Sequence, residues 1–308
     1  MRFLDVKTDF AFKKVFGGEE SKDVLISFLN ALLEFPHDAK IIDLIIVDPY
    51  QIPLLQGMKD TYVDVKAILS NKQQVIVEMQ VLNVPGFEKR ILYNAAKAYS
   101  TQLRKGEQYE LLNPVIALTV TDFVLFPEFS QAISRFRLLE KKELIEYSDD
   151  VELVFAELPK FNKPENQLDN ITDKWLYFVK NAGSLEYVPE TLRAENAIKK
   201  AFEIANYAGL SAEEEEAQHK RQDFLYLQRA SVDYALERGI QQGVQQGIQQ
   251  GIQLGMQQGI QQGEKNKALE TARKMHEKSF SVEDISAVTD LSFDEIQRLI
   301  DTLNIKKR

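Results

Sequence analysis

The sequence predicts an α/β fold with an α-helical C-terminal half, on three observations. In the first half, apolar runs of strand length (residues 41–47, 61–69, 73–82 and 115–120) are interleaved with amphipathic helical stretches. All nine prolines precede residue 239. Seven of the fourteen glycines then fall in one tract, GIQQGVQQGIQQGIQLGMQQGIQQG, at a strict spacing of four. A chain of 308 residues exceeds one compact core and divides into two or three units.

Taken in order, residues 8–33 read as helical with a break at Gly17-Gly18. The first three strand-like runs follow, then a helix over about residues 86–105, then the fourth run. This order is α-β-β-β-α-β. Two more strand candidates, residues 133–139 and 151–157, precede a break between Pro159 and Pro164. From residue 166 the pattern is helical: NQLDNITDKWLYFVKNA, then residues 191–208, then a segment opening at Ser211. Ser211 with Glu214 has the capping-box form, which predicts a helix start there.

Composition narrows the chemistry. The chain has no cysteine, which excludes disulfides, thiolate zinc sites and cysteine nucleophiles. Its three histidines, His37, His219 and His276, are far apart in sequence, so chemistry should rest on carboxylates. The N-terminus mixes charges through every short apolar run and has no signal-peptide h-region. Residues 239–263 are uncharged and long enough to span a bilayer, but their glutamine amides would need partners in lipid. A cytoplasmic chain without a membrane span is expected.

The hairpin YVDVKAILSNKQQVIVEMQ carries the most informative residues. Alternation puts Val63, Val65, Ala67 and Leu69 on one face, with Tyr62, Asp64, Lys66 and Ile68 on the other. A turn centred on Asn71 brings Asp64 opposite Glu78 and Tyr62 opposite Gln80. Directly opposed residues have Cβ atoms roughly 4.5–5.5 Å apart, and like charges there are destabilising. Such a pair needs a proton, a cation or water. Mg²⁺ fits, because it takes one or two carboxylates plus substrate phosphate, and it would activate a water for phosphodiester attack. A solvated acid pair on an exposed face satisfies the same spacing.

The helix that follows, at about 100° per residue, gathers Ile91, Leu92, Ala95, Ala96, Ala98, Tyr99 and Leu103 on one broad face. Arg90, Tyr93, Lys97 and Arg104 form a narrow stripe on the other. A basic stripe with an aromatic suits a DNA backbone, and a plain solvated face is the alternative.

The opening TDFAFKKVFG, the strands YVDVKA and IVEMQ, the run RILYNAAKAYSTQLRKGEQYELLNPVIALTVTDF and the later ITDKWLYFVKNA occur in this order. Together they resemble the Rpn recombination-promoting nucleases, a transposase-labelled family of the PD-(D/E)XK nuclease superfamily. The resemblance is close over about residues 2–210 and looser beyond. It implies a PD-(D/E)XK restriction-endonuclease-like αβββαβ core, Mg²⁺-dependent endonucleolytic cleavage of DNA, and a role in RecA-independent recombination. By position it implies Asp64 and Glu78 as the metal-binding acids, with Asp9 reaching the metal through water. Gln80 then stands where the superfamily has lysine, and Val63 where it has proline. Glutamine cannot carry a charge to stabilise a developing phosphorane, and Lys66 is the expected substitute.

The period-four tract advances about 400° per repeat on a helix, so its apolar line (Ile240, Val244, Ile248, Ile252, Met256, Ile260) winds around the axis. Seven glycines cost about 6–7 kcal/mol of helix propensity relative to alanine, making an isolated helix marginal. A self-association segment and a low-complexity linker are both consistent with it. The tail reads as short helices, with capping arrangements at Ser281–Asp284 and Ser292–Glu295. The expected division is a nuclease-like domain over 1–160, a helical extension over 161–238, the repeat over 239–263 and a helix-turn-helix-like tail over 264–308. Expected partners are DNA, further copies of the chain through the C-terminal half, and an inhibitory protein. Two alternatives remain: a catalytically weak DNA-binding or protein-interaction module retaining the nuclease fold, and a nuclease toxin restrained by its own C-terminal region. The net charge of −9 does not exclude DNA, because residues 1–110 carry fourteen basic and fifteen acidic side chains.

Overall fold

The computed structural model describes residues 2–35, 40–51 and 61–305. The chain forms two compact units, Met1–Arg229 and Ala230–Arg308. In the first, α1 (Asp9–Phe16) begins at Thr8, whose side chain accepts from the Ala11 N–H. Asp9 lies in its first turn and Lys13 and Lys14 in its last, each matching the helix dipole. α1 ends at Gly17, where a Cβ would sit 2.8 Å from the Lys13 carbonyl oxygen. Then come α2 (Lys22–Leu32), β1 (Leu44–Val47), β2 (Tyr50–Gln51), β3 (Thr61–Tyr62), β4 (Val65–Leu69), β5 (Gln74–Gln80), α3 (Phe87–Ser100) and β6 (Val115–Thr121). After these follow β7 (Ile133–Leu139), β8 (Glu146–Glu157), α4 (Ile171–Asn181), α5 (Glu190–Arg193) and α6 (Asn196–Ile204).

Six strands make one mixed sheet in the order β1-β4-β5-β6-β8-β7. The β1–β4–β5 pairs and the β7–β8 pair are antiparallel, while β5–β6 and β6–β8 are parallel. Every residue of β6 is buried, as a central parallel strand covered on both faces requires. On one face α1, α2, α4 and α6 cover Val65, Ala67, Val75, Val77 and Met79. Trp175 of α4 anchors that layer. Its ring lies 5.8 Å from Phe16, 5.6 Å from Phe28 and 5.6 Å from Phe178, and its N–H donates to Ser27. On the other face α3 packs Ala95 and Ala98 over Ile76 and Ala117, and Phe87 and Ile91 over Phe155.

The hairpin register agrees with the sequence reading from Val65 onward, where Val65 opposes Val77 and Lys66 opposes Ile76, but the expected pairs Asp64–Glu78 and Tyr62–Gln80 fall outside the ladder, and Tyr62 pairs with Tyr50 instead. The first strand is not continuous, however. Thr61–Tyr62 pairs with Tyr50–Gln51, and the chain bends at Asp64 before β4 begins. The expectation that Val63 and Val65 share a face is therefore corrected. Val63 joins the α3-side cluster and Val65 the α1–α2 side, since two-residue alternation holds only through an unbroken strand.

The expected faces of α3 also need correction. The helix meets the sheet through Phe87, Ile91, Asn94, Ala95 and Ala98, a spacing that brings Lys97 into the buried set, while Leu92 and Ala96 are exposed. Two alanines let the helix lie close to the sheet.

In the second unit, the end of α7 (Ala212–Glu277) packs with α8 (Val282–Thr289) and α9 (Phe293–Ile305) around Ala272, Ile285, Leu291 and Ile296. Ser281 caps α8 and Ser292 accepts from the Glu295 N–H at the start of α9, as the two capping patterns predict. The glycine tract lies wholly inside α7. Its apolar line is 57–64% exposed. No helix of the described residues is long and apolar enough to cross a membrane.

Candidate active site

The C-terminal end of β5, the bend before β4, the first turns of α1 and α3, and the opening of α7 meet around one cavity of about 380 Å³. Asp9 and Lys13 reach it from successive turns of α1, Asp64 from the bend, and Glu78 and Gln80 from β5. Arg90 of α3 and Arg221 of α7 add two cations to its wall.

The bend fixes Asp64. Its N–H donates to the Val77 carbonyl (3.0 Å), and its carboxylate accepts from the Met79 N–H (2.7 Å). Burial, then a hydrogen bond with Asp9, pushes Asp64 up to about 7, against the Met79 N–H and the charge of Lys13. Burial also acts on Asp9, but hydrogen bonds with Asp64 and Lys13 outweigh it and hold Asp9 below its ordinary value. The two acids are thus hydrogen-bonded to each other beside a lysine. Lys13 Nζ lies 2.9 Å from Asp9 and 3.5 Å from Asp64.

Glu78 is raised by burial, opposed by Arg90 and by the amide of Asn94. Arg90 Nη2 bridges Glu78 (2.5 Å) and the Gln80 oxygen (2.7 Å). The Gln80 amide donates to the Leu82 carbonyl (2.8 Å), so both ends of that side chain are engaged.

Of the residues singled out from sequence, Asp9, Asp64, Glu78, Gln80 and Arg90 come together here. Lys66 does not line the cavity; it lies half-buried on β4, and burial lowers its pKa. The cation beside the acids is Lys13, which the sequence reading passed over. Its signal was the i,i+4 spacing from Asp9 within DFAFKK. Arg221 had no such signal, because its approach depends on tertiary packing. Arg90, Tyr93, Lys97 and Arg104 do not form one exposed stripe. Arg90 is bound to Glu78 and Gln80, Lys97 is 4% exposed, and Arg104 lies beyond the end of α3.

Among the described residues, no group of three or more His, Cys, Asp or Glu side chains is gathered to hold a metal ion. The donor set still fits a hard divalent cation. Such an ion takes one or two carboxylates and completes its shell with water and phosphate, and the adjoining carboxyls of Asp9 and Asp64 offer it a place.

A mixed α/β sheet with acids and cations at the end of a parallel strand defines a class of site suited to anionic substrates. A family comparison is consistent with this: residues 6–235 match PD-(D/E)XK nuclease family transposases, and the chain belongs to that family. Comparisons with curated proteins and with solved structures gave no match.

Proposed function

We propose that the chain is a metal-dependent endodeoxyribonuclease that cuts phosphodiester bonds during RecA-independent recombination. The observation that carries this reading is the convergence of Asp9, Asp64, Glu78, Lys13 and Arg90 on one cavity in a chain of a nuclease family. Asp64 and Glu78 would hold Mg²⁺, with Asp9 acting through water. Bound there, the ion would lower the pKa of a water and counter phosphate charge. Lys13 stands in place of the cation that Gln80 cannot provide, held against the acids where charge on the phosphate would develop. Arg90 holds Glu78 and Gln80 in place and offers its guanidinium to the DNA backbone, with Tyr93 beside it on α3. The order α2, β1, β4, β5, α3, β6 supports reading these elements as the αβββαβ core of the superfamily.

Supercoiled plasmid incubated with the protein and Mg²⁺ should be nicked, and EDTA should stop it. Asp64→Ala and Glu78→Ala should each slow nicking by about 100-fold or more. Cutting by both variants at the parent rate would refute the site.

One observation favours a restrained enzyme as the second reading. Arg221, Phe224, Leu225 and Gln228 of α7 line the same cavity. That stretch is tied down by Lys14–Glu214, by Thr8 donating to Gln218, and by Arg229–Asp122. Faster cutting by a chain ending at Ala208 than by the full chain would support restraint.

A further inference from the structure

Beside the carboxylate cavity lies a larger one of about 710 Å³, and the two share Tyr62, Val84 and Arg90 in their walls. Its size is within the range of about 300–1,000 Å³ typical of ligand sites, and of its lining only Arg90 and Tyr93 enter the function proposed above. Two exposed aromatic rings, Tyr62 and Tyr93, belong to its lining. Tyr62 is 65% exposed, and its ring is backed by Tyr50, stacked at 4.7 Å between centroids and 28° between planes. Tyr93 projects from α3 into the same wall, and Lys89 and Arg90 bring positive charge to it.

One buried polar side chain in this wall lacks a hydrogen bond, Thr61 Oγ1, while the amide of Asn94, a residue only 1% exposed, is directed to Glu78. Buried donors and acceptors are normally paired, so the Thr61 hydroxyl is an opening for a ligand atom. A purely apolar ligand would leave it unpaired, and a small anion would not cover the rings. A nucleobase meets all the requirements. It has a flat π face for Tyr62, a polar edge for Thr61, and phosphates on either side for Lys89 and Arg90.

We propose that this cavity holds one unpaired base of a DNA strand whose backbone continues into the carboxylate cavity, so that the chain acts on single-stranded or splayed DNA in preference to intact duplex. The inference rests on the nuclease reading for the identity of its ligand. A base inside a duplex is stacked on both faces and engaged at its pairing edge, so it must leave the stack to enter.

The test uses the full chain in EDTA, which separates binding from cutting. The probes are a single-stranded oligodeoxynucleotide carrying one 2-aminopurine, its blunt duplex, and the RNA of the same sequence, all at one salt concentration. Single-stranded DNA should bind more tightly than duplex, and the 2-aminopurine fluorescence should be quenched. Tyr62→Ala should weaken single-strand binding about 5- to 150-fold, the range expected for loss of one stacking partner. Tyr62→Phe, which keeps the ring, should restore it. Tyr62 is exposed, so its truncation spares the core, and circular dichroism verifies the fold. Duplex binding as tight as single-strand binding, or parental binding by both Tyr62→Ala and Tyr93→Ala, would overturn the proposal. Tighter binding of RNA would overturn the assignment to DNA. Strand discrimination without Mg²⁺-dependent cutting would sink the nuclease reading and leave this site standing. Equal cutting of both DNA forms, unaffected by Tyr62→Ala, would do the reverse.

Discussion

At the scale of single residues, the informative outcome is the exchange of Lys66 for Lys13. Both lysines are close in sequence to an acid of the site, and both could offset the missing charge at Gln80. Strand alternation favoured Lys66, but alternation fails at the Asp64 bend, and Lys66 ends on β4 away from the cavity. Lys13 is held by two carboxylates, and these, after burial is overcome, raise its pKa and keep it charged. Lys13→Met should therefore lower the single-turnover cutting rate by about 10²–10³-fold, the usual cost of losing one group that stabilises developing charge. Lys13→Arg should recover part of that loss, and Lys66→Met should change little. The reverse ranking of Lys13→Met and Lys66→Met would return the role to Lys66. The register of β4 on β5 was legible because the turn at Asn71 sets it locally, but that ladder ends at Val65–Val77, just short of Asp64 and Glu78. The hydrogen bond between Asp9 and Asp64 was not legible, because it arises where two distant elements meet.

At the scale of elements, α3 shows where periodicity stops being enough. Counting apolar residues at about 100° per residue finds a helix and an approximate face. It cannot tell that Lys97 is covered while Leu92 and Ala96 stay exposed. The element that sets the approach is Gly86, which precedes α3 with φ of +81° and leads directly into Phe87 and Arg90. A side chain there has room, since nothing lies within 4 Å of an added Cβ, but the left-handed backbone is strained for any residue with one. Gly86→Ala should cost about 1–2 kcal/mol, read as a lower urea midpoint with an unchanged m value. An unchanged or raised midpoint would mean that α3 can start another way, and that Arg90 is not held to Glu78 by this turn.

At the scale of the whole molecule, the glycine tract separates propensity from context. The expected marginal helix is a continuous one, flanked by a capping box at its start, where Ser211 and Glu214 each satisfy the other's backbone N–H, and by the α8–α9 cluster near its end. Capping and packing at the two ends support a middle that would be weak alone. Two uses of the tract remain distinguishable, because an added methyl at Gly243, Gly247, Gly251 or Gly255 meets nothing within 4 Å in the single chain. If the tract stands free, Gly247→Ala and Gly251→Ala should each stabilise it by about 0.8–1 kcal/mol through helix propensity, raising helical content and melting temperature. If a second copy packs its backbone against the glycine line, the same methyls would occupy the contact. The double variant would then lower the melting temperature and reduce the mass measured by sedimentation. The sign of the change therefore decides between a solvent-exposed spacer and an interface between copies. It does so independently of nuclease activity, since the tract lies outside the residues that line the active-site cavity.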